Sequence, residues 1–324
     1  MDFQKKGWII KSLFFIVVLI GIGCFLGMRL AKPKIVSGAQ NGKTIPIAMA
    51  LDDGYVYPTI VSITSALENA DSDRGYSFYI MHPGEFKQEN KNKIKSLEEK
   101  YKSCKIELID MKNAYKGAND KGHITTPAYY RLALSDLLPQ LDKIIWLDGD
   151  TIVFSDLKEM YDIDMSGLCY RGFLDDNVNA VDNFVPDNDH VICSGVMLLN
   201  LEELRKENMV KKFEKFISEN NDKLIQHDQT TINSVAYNKV DILPAKYGIY
   251  NYWSLEEAKS QSKVYRYNKG YTSEELESAY LNPVILHCIS KPWKSKDVYG
   301  GKYWWDYAQK TDFYNEIREK YPIF

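Results

Sequence analysis

The chain has 324 residues, with 41 Lys and Arg against 44 Asp and Glu and a formal net charge of −3. That length buries a large core, and basic residues scattered along it rather than clustered argue against a nucleic-acid-binding surface. The five cysteines (Cys24, Cys104, Cys169, Cys193, Cys288) show no Cys-x-x-Cys spacing, so neither a zinc site nor a disulfide framework is indicated.

After a short tail over residues 1–7, residues 8–28 read as a single-pass membrane anchor. Ser12 to Met28 carries no charge, and Trp8-Ile9-Ile10 extends it across Lys11, which can snorkel. Lys5 and Lys6 would also suit a cleaved secretory signal. The apolar run is long for one, and no small-x-small site follows it before Arg29. Orientation is open, because Lys5, Lys6 and Lys11 are balanced by Arg29, Lys32 and Lys34. Residues 29–43, with Pro33, Gly38 and Gly42, form a polar stalk.

A folded domain spans 44–300. It opens on a buried strand, Ile45–Leu51, that ends on Asp52-Asp53-Gly54. Helical spacing follows over Tyr57 to Asn69, then a strand at Ser77–Met81, a charged amphipathic helix over Glu85 to Tyr101, and a strand at Lys105–Ile109. This alternation predicts an α/β fold with a parallel sheet covered by helices. Thr126-Pro127 looks like a helix start leading into Tyr129–Leu138. Next, the apolar run Lys143-Ile144-Ile145-Trp146-Leu147 stops on Asp148-Gly149-Asp150. Because Thr151-Ile152-Val153-Phe154 follows, the Asp-Gly pair also fits a hairpin turn. Tyr170–Leu174 ends on Asp175-Asp176. Cys193 to Leu201 reads as a buried strand, Leu204–Glu219 as an amphipathic helix, and Val284-Ile285-Leu286 as a short strand ending on His287. Residues 301–324 form an aromatic helical tail.

In an open α/β sheet, ligands bind beyond the carboxyl ends of the strands. Asp148 and Asp150 there make an oxygen-rich mouth suited to Mg²⁺ or Mn²⁺, and through it to a diphosphate. Asp52-Asp53 and Asp175-Asp176 fall on the same edge, although each alone reads as a turn or helix cap. An imidazole from His287 would favour Mn²⁺ over Mg²⁺, and Lys291 would be a mobile point charge for phosphate.

These residues resemble retaining glycosyltransferase family 8, the group of glycogenin and the bacterial lipopolysaccharide galactosyl- and glucosyltransferases. The resemblance runs from Ile45 to the end of the chain. It rests on Ala50-Leu51-Asp52-Asp53-Gly54-Tyr55, Tyr129-Tyr130-Arg131-Leu132, Leu147-Asp148-Gly149-Asp150, Ser194-Gly195-Val196-Met197-Leu198-Leu199-Asn200-Leu201, Asp228-Gln229, and His287 with Lys291-Pro292-Trp293. The tail Tyr303-Trp304-Trp305-Asp306-Tyr307-Ala308 is similar to that of the bacterial branch.

The resemblance implies a single Rossmann-like domain of GT-A type with a mixed, mostly parallel sheet. It implies a Mn²⁺-dependent transferase (Mg²⁺ as a substitute) that moves a hexose from UDP-glucose or UDP-galactose with retention. Asp148, Asp150 and His287 would hold the metal, and Gly149 would lie in the donor site. Ala50, Asp52 and Tyr55 would hold uracil and ribose, Arg131 the donor sugar and Lys291 the diphosphate. Asp175 would lie near the sugars, and Asp228 and Gln229 on the reacting face. The acceptor implied by the anchor is a glycan or glycolipid. The catalytic domain would face the cytoplasm in a bacterium and the Golgi lumen in a eukaryote.

Three positions depart from the family pattern. The stretch His287-Cys288-Ile289-Ser290-Lys291 is shorter and lacks a Gly, so either Lys291 meets the diphosphate at another angle or Ser290 adds a contact. Cys193 stands where an Asn is expected, removing a hydrogen-bond donor to the sugar. Thr230 replaces an acidic residue, leaving Asp228 as the nearer carboxylate. Two competing readings are a degenerate membrane-tethered carbohydrate-binding scaffold and a phosphotransferase of the haloacid dehalogenase type. The second wants Thr or Val where Ile152 stands.

Overall fold

The computed structural model describes residues 44–71, 74–118, 126–175, 184–185, 191–266 and 270–323. The expected anchor and stalk, and Asp176, lie outside the described residues. Among those described, no helix is long and apolar enough to cross a membrane.

Strands β1 (Ile45–Ala50), β2 (Tyr76–His82) and β3 (Cys104–Asp110) are rich in β-branched and aromatic residues, and they pair in parallel. With β4 (Lys143–Leu147), β6 (Tyr170–Leu174), β7 (Ile192–Asn200) and β8 (Val240–Ile242) they build a seven-stranded sheet of order β3-β2-β1-β4-β7-β6-β8. β1 pairs with β4, and β6 with β8, in parallel; only β7 runs against its neighbours β4 and β6. The mixed, mostly parallel sheet is as expected. Ala50, Leu147 and Leu174 therefore end at one edge, and β7 enters from that same edge.

Side chains alternate across the sheet with the two-residue period of a strand. Ile45, Ile47, Met49, Ile145 and Leu147 join one apolar cluster, while Ala48, Ile144 and Trp146 join another. Helix α1 (Val56–Glu68) is buried along nearly its whole length in the first cluster. Its N-terminal Pro58 sits where a missing N–H costs little.

The hairpin reading of Asp148-Gly149 is overturned. β4 is hydrogen-bonded on both sides, by β1 and β7, so no partner strand can fold back on it. Strand β5 (Thr151–Val153) instead leaves for a second sheet of order β5-β10-β9, formed with β9 (Ile249–Tyr250) and β10 (Ile285–His287). Thr151 pairs with His287, and His287 with Tyr250. Hydroxyls of α1 tie the sheets together: Ser62 Oγ lies 2.8 Å from Thr151 Oγ1, and Ser65 Oγ accepts the Val153 N–H at 2.9 Å.

Two expected helices are divided. Glu85 to Tyr101 becomes Gln88–Lys95 and Leu97–Lys100. Leu204–Glu219 is interrupted at Asn208, whose φ of 53° Asn tolerates better than most residues, giving Leu201–Lys206 and Met209–Asn220. Thr126–Ala133 is a 3₁₀ helix followed by the single turn Leu134–Leu137.

The aromatic tail forms helices Gly301–Ala308 and Tyr314–Lys320 and packs into the main core, with Trp304 and Ile317 fully buried beside α1. Glu316 accepts from Tyr57 Oη and Lys93 Nζ, each at 2.6 Å. Truncating Trp304 to Ala is expected to cost about 3–5 kcal/mol in chemical denaturation. A loss below about 1 kcal/mol would show that the tail is only a surface attachment.

Candidate active site

The end of β4 and the start of β5 bracket Asp148-Gly149-Asp150 where the two sheets meet. The Asp148 N–H donates to the Gly195 carbonyl on β7 at 2.8 Å. Its Oδ1 accepts from Trp146 Nε1 and Arg131 Nη2, both at 2.9 Å. Asp150 is only 4 % exposed. Its Oδ2 meets Lys291 Nζ and, at 3.4 Å, the Tyr55 hydroxyl. β10 delivers His287, whose Nε2 lies 3.2 Å from Asp150 Oδ1 and 3.9 Å from Asp148 Oδ2.

Asp148, Asp150 and His287 thus offer ligand atoms within 4.8 Å of one another. Asp150 Oδ1 is buried and accepts no hydrogen bond, so His287 Nε2 faces it off the line of one. Adjacent ligands of an ion with bonds of about 2.1 Å stand about 3 Å apart, close to this spacing. Oxygen and imidazole donors together suit Mn²⁺ and related ions. Gly195 clears the space, since a Cβ there would come 2.1 Å from His287 Cε1 and 2.9 Å from Asp148 Oδ2.

Electrostatics follow from the burial. Desolvation would raise the Asp150 pKa, but Lys291 and His287 hold it well below the ordinary carboxylate range. Burial likewise opposes charge on His287 and Lys291, and Asp150 more than offsets it, so both bind protons more tightly than usual.

Cys193 lies against His287. Its Sγ lies 3.8 Å from His287 Nδ1 and accepts the Gly195 N–H at 3.4 Å. It is thus the group beside the ring nitrogen facing away from the carboxylates, the position that orients a metal-binding imidazole.

Arg131 is the organiser behind the carboxylates. The guanidinium lies 4.3 Å over the Trp146 ring, bonds Asp148 and the Ser194 carbonyl, and pairs through Nε with Asp228 Oδ2 at 3.1 Å. Asp228 is buried against Arg131, and burial raises its pKa despite that partner. Gln229 does face the edge. Its Oε1 accepts the Ser194 N–H at 3.0 Å and its Nε2 donates to Asp175 Oδ2, joining two of the expected sugar-side residues. His227, just before them, adopts a left-handed φ of 46° that turns the chain into helix His227–Val235.

Around the expected nucleotide end, Asp52 Oδ1 accepts the Gly54 N–H at 2.8 Å and shapes the turn after Ala50. The Tyr55 ring meets Trp293 edge-on at 5.9 Å. Asp53 is turned away, accepting from Lys87 N and Asn90 Nδ2. Gly149 serves packing: a Cβ would lie 2.4 Å from Thr59 Oγ1 on α1. Trp146 and Gly195 had no assigned role in the sequence. The signal for Trp146 was present, since residues 146 and 148 share a strand face.

Metal binding must remove a proton from His287, so titration with Mn²⁺ near neutral pH is expected to release one, read as a buffer-dependent heat, and apparent affinity should rise with pH. Absence of proton release would show that His287 is already neutral when the metal arrives or is not one of its ligands. Gly195→Ala should weaken the metal by about 10- to 100-fold, and unchanged affinity would show that the cradle is elsewhere.

The profile of glycosyl transferase family 8 matches residues 46–297. General stress protein A of Bacillus subtilis is 28% identical over 265 residues, 79% of this chain and 90% of that protein. Lipopolysaccharide 1,2-glucosyltransferase of Escherichia coli is 26% identical over 287 residues, 84% and 78% of the two chains. The galactosyltransferase LgtC, solved with donor and acceptor sugar analogues, shares the fold at a TM-score of 0.69 and 19% identity, over 83% of this chain and 96% of that one. The phosphotransferase reading falls with these matches: the chain belongs to glycosyl transferase family 8.

Proposed function

We propose that this protein is a Mn²⁺-dependent, retaining hexosyltransferase that moves glucose or galactose from a UDP-sugar to a glycan or glycolipid acceptor. The observation that carries the reading is the meeting of Asp148 and Asp150, from the β4–β5 turn, with His287 of β10 at the sheet edge beside Lys291.

Bound by those three residues, the ion would act as a Lewis acid that stabilises the charge of a departing diphosphate. Lys291, kept charged by Asp150, supplies a second fixed positive charge to the same phosphates. Tyr55, propped by Trp293, forms the base-binding wall, with Asp52 and Ala50 on the turn below it. Gln229 and Asp175 offer oxygens to a sugar carbon that becomes oxocarbenium-like. Arg131 keeps Asp148 and Asp228 in place. The apolar segment 8–28 would hold the domain at a membrane, near a lipid-linked acceptor.

The purified protein is expected to hydrolyse UDP-glucose or UDP-galactose slowly when Mn²⁺ is present, and Asp150→Ala should reduce that by at least about 100-fold. No hydrolysis with either donor would favour a non-catalytic scaffold. Activity untouched by Asp150→Ala would sink the metal assignment.

A further inference from the structure

A lysine is a point charge on a long flexible stem, so its usefulness to a phosphate depends on how firmly its backbone is held. Lys291 follows the short connection Cys288–Ser290 out of β10. The Cys288 N–H donates to the Asp150 carbonyl at 2.8 Å, and the Ile289 N–H to the His287 carbonyl at 2.9 Å. Ser290, next to Lys291, belongs to no strand or helix. One side chain takes both of its backbone groups: Asn251 Nδ2 donates to the Ser290 carbonyl at 2.6 Å, and the Ser290 N–H donates to Asn251 Oδ1 at 2.9 Å.

Asn251 is itself fixed. It directly follows β9, its N–H donates to the His287 carbonyl at 3.2 Å, and it is 1 % exposed. Only a side-chain amide carries a donor and an acceptor side by side, and the reversed rotamer would set N–H against N–H and oxygen against oxygen. With both ends of its amide engaged, Asn251 is placed to hold the loop rather than a ligand. Beyond Lys291 the chain is anchored again, by Trp305 Nε1 donating to the Pro292 carbonyl at 3.2 Å. Lys291 therefore stands between two fixed points, and Asn251 supplies the one on its amino side.

We propose that Asn251 is a positioning residue for Lys291, doing through a two-point grip on Ser290 what the missing loop residues would otherwise do, so that the ammonium is aimed at the diphosphate. The inference rests on the donor reading above. In the full-length protein with Mn²⁺, Asn251→Ala is expected to weaken UDP binding about tenfold and leave uridine, which has no phosphate, unchanged. In a double-mutant cycle, Asn251→Ala should add nothing to Lys291→Ala. Should the alanine variant fail to fold, Asn251→Asp, which keeps the volume and the acceptor for the Ser290 N–H, reads the same split between UDP and uridine. Equal weakening of UDP and uridine, unchanged UDP binding, or fully additive losses at 251 and 291 would each overturn the proposal. If Lys291→Ala weakens UDP and Asn251→Ala does not, this inference alone fails. If the unaltered protein binds neither UDP nor uridine, the donor reading fails and takes this inference with it.

Discussion

The rest of the site depends on the burial of Asp150 as a charged group. A carboxylate taken out of water is costly unless it is paired. Here an ammonium and an imidazole meet it, one on each oxygen: Lys291 at Oδ2 and His287 at Oδ1. Both come from the segment that begins in β10, so the pairing requires the second sheet to lie against the first. It also explains why β5 and β10 must be in register, because Thr151 opposite His287 sets the imidazole next to the residue preceding Thr151. The charge balance and the topology are one constraint seen from two sides.

Around that point the protein relies on side chains that substitute for missing backbone partners. Asn233 brackets Ile192 through its N–H and its carbonyl, each at 2.8 Å, and fixes the start of β7 to the helix that carries Gln229. Asn251 does the same for Ser290. Ser65 caps the edge of β5 from α1. These are a strand end, a sheet edge and an irregular connection where a backbone group lacks a ladder partner, and a buried amide or hydroxyl satisfies it there.

The strands and their polar ends were readable because each is a local pattern, an apolar run stopping on Asp or His. Asp148, Asp150 and His287 were accordingly visible as candidates, and the geometry brings them together. What was not readable depended on pairing between distant segments. Asp-Gly after Leu147 carries the same local signal in a hairpin and in a chain that changes sheets, and only the occupation of both β4 edges decides. That Cys193 lies beside His287 was not readable either, because its neighbour across the sheets is set by β10. Asp228 and Gln229 are adjacent in sequence, yet the helix start sends one inward to Arg131 and the other to Asp175. Asn251 sits in a stretch with no periodicity, and nothing local marks it.

The aromatic tail closes the wall behind Tyr55. Trp293 touches Tyr55, Trp304 and Tyr321, and the Tyr321 hydroxyl reaches the Gly54 carbonyl at 3.5 Å. The first turn of the domain is thus completed by a residue 267 positions further along the chain, Tyr321 reaching back to Gly54. During translation the first strands must wait for residues as far along as Tyr321 to leave the ribosome before Tyr55 has this support behind it. A chain cut short near Tyr303 would strip Trp293 of Trp304 and Tyr321 and leave it resting on Tyr55 alone among these rings.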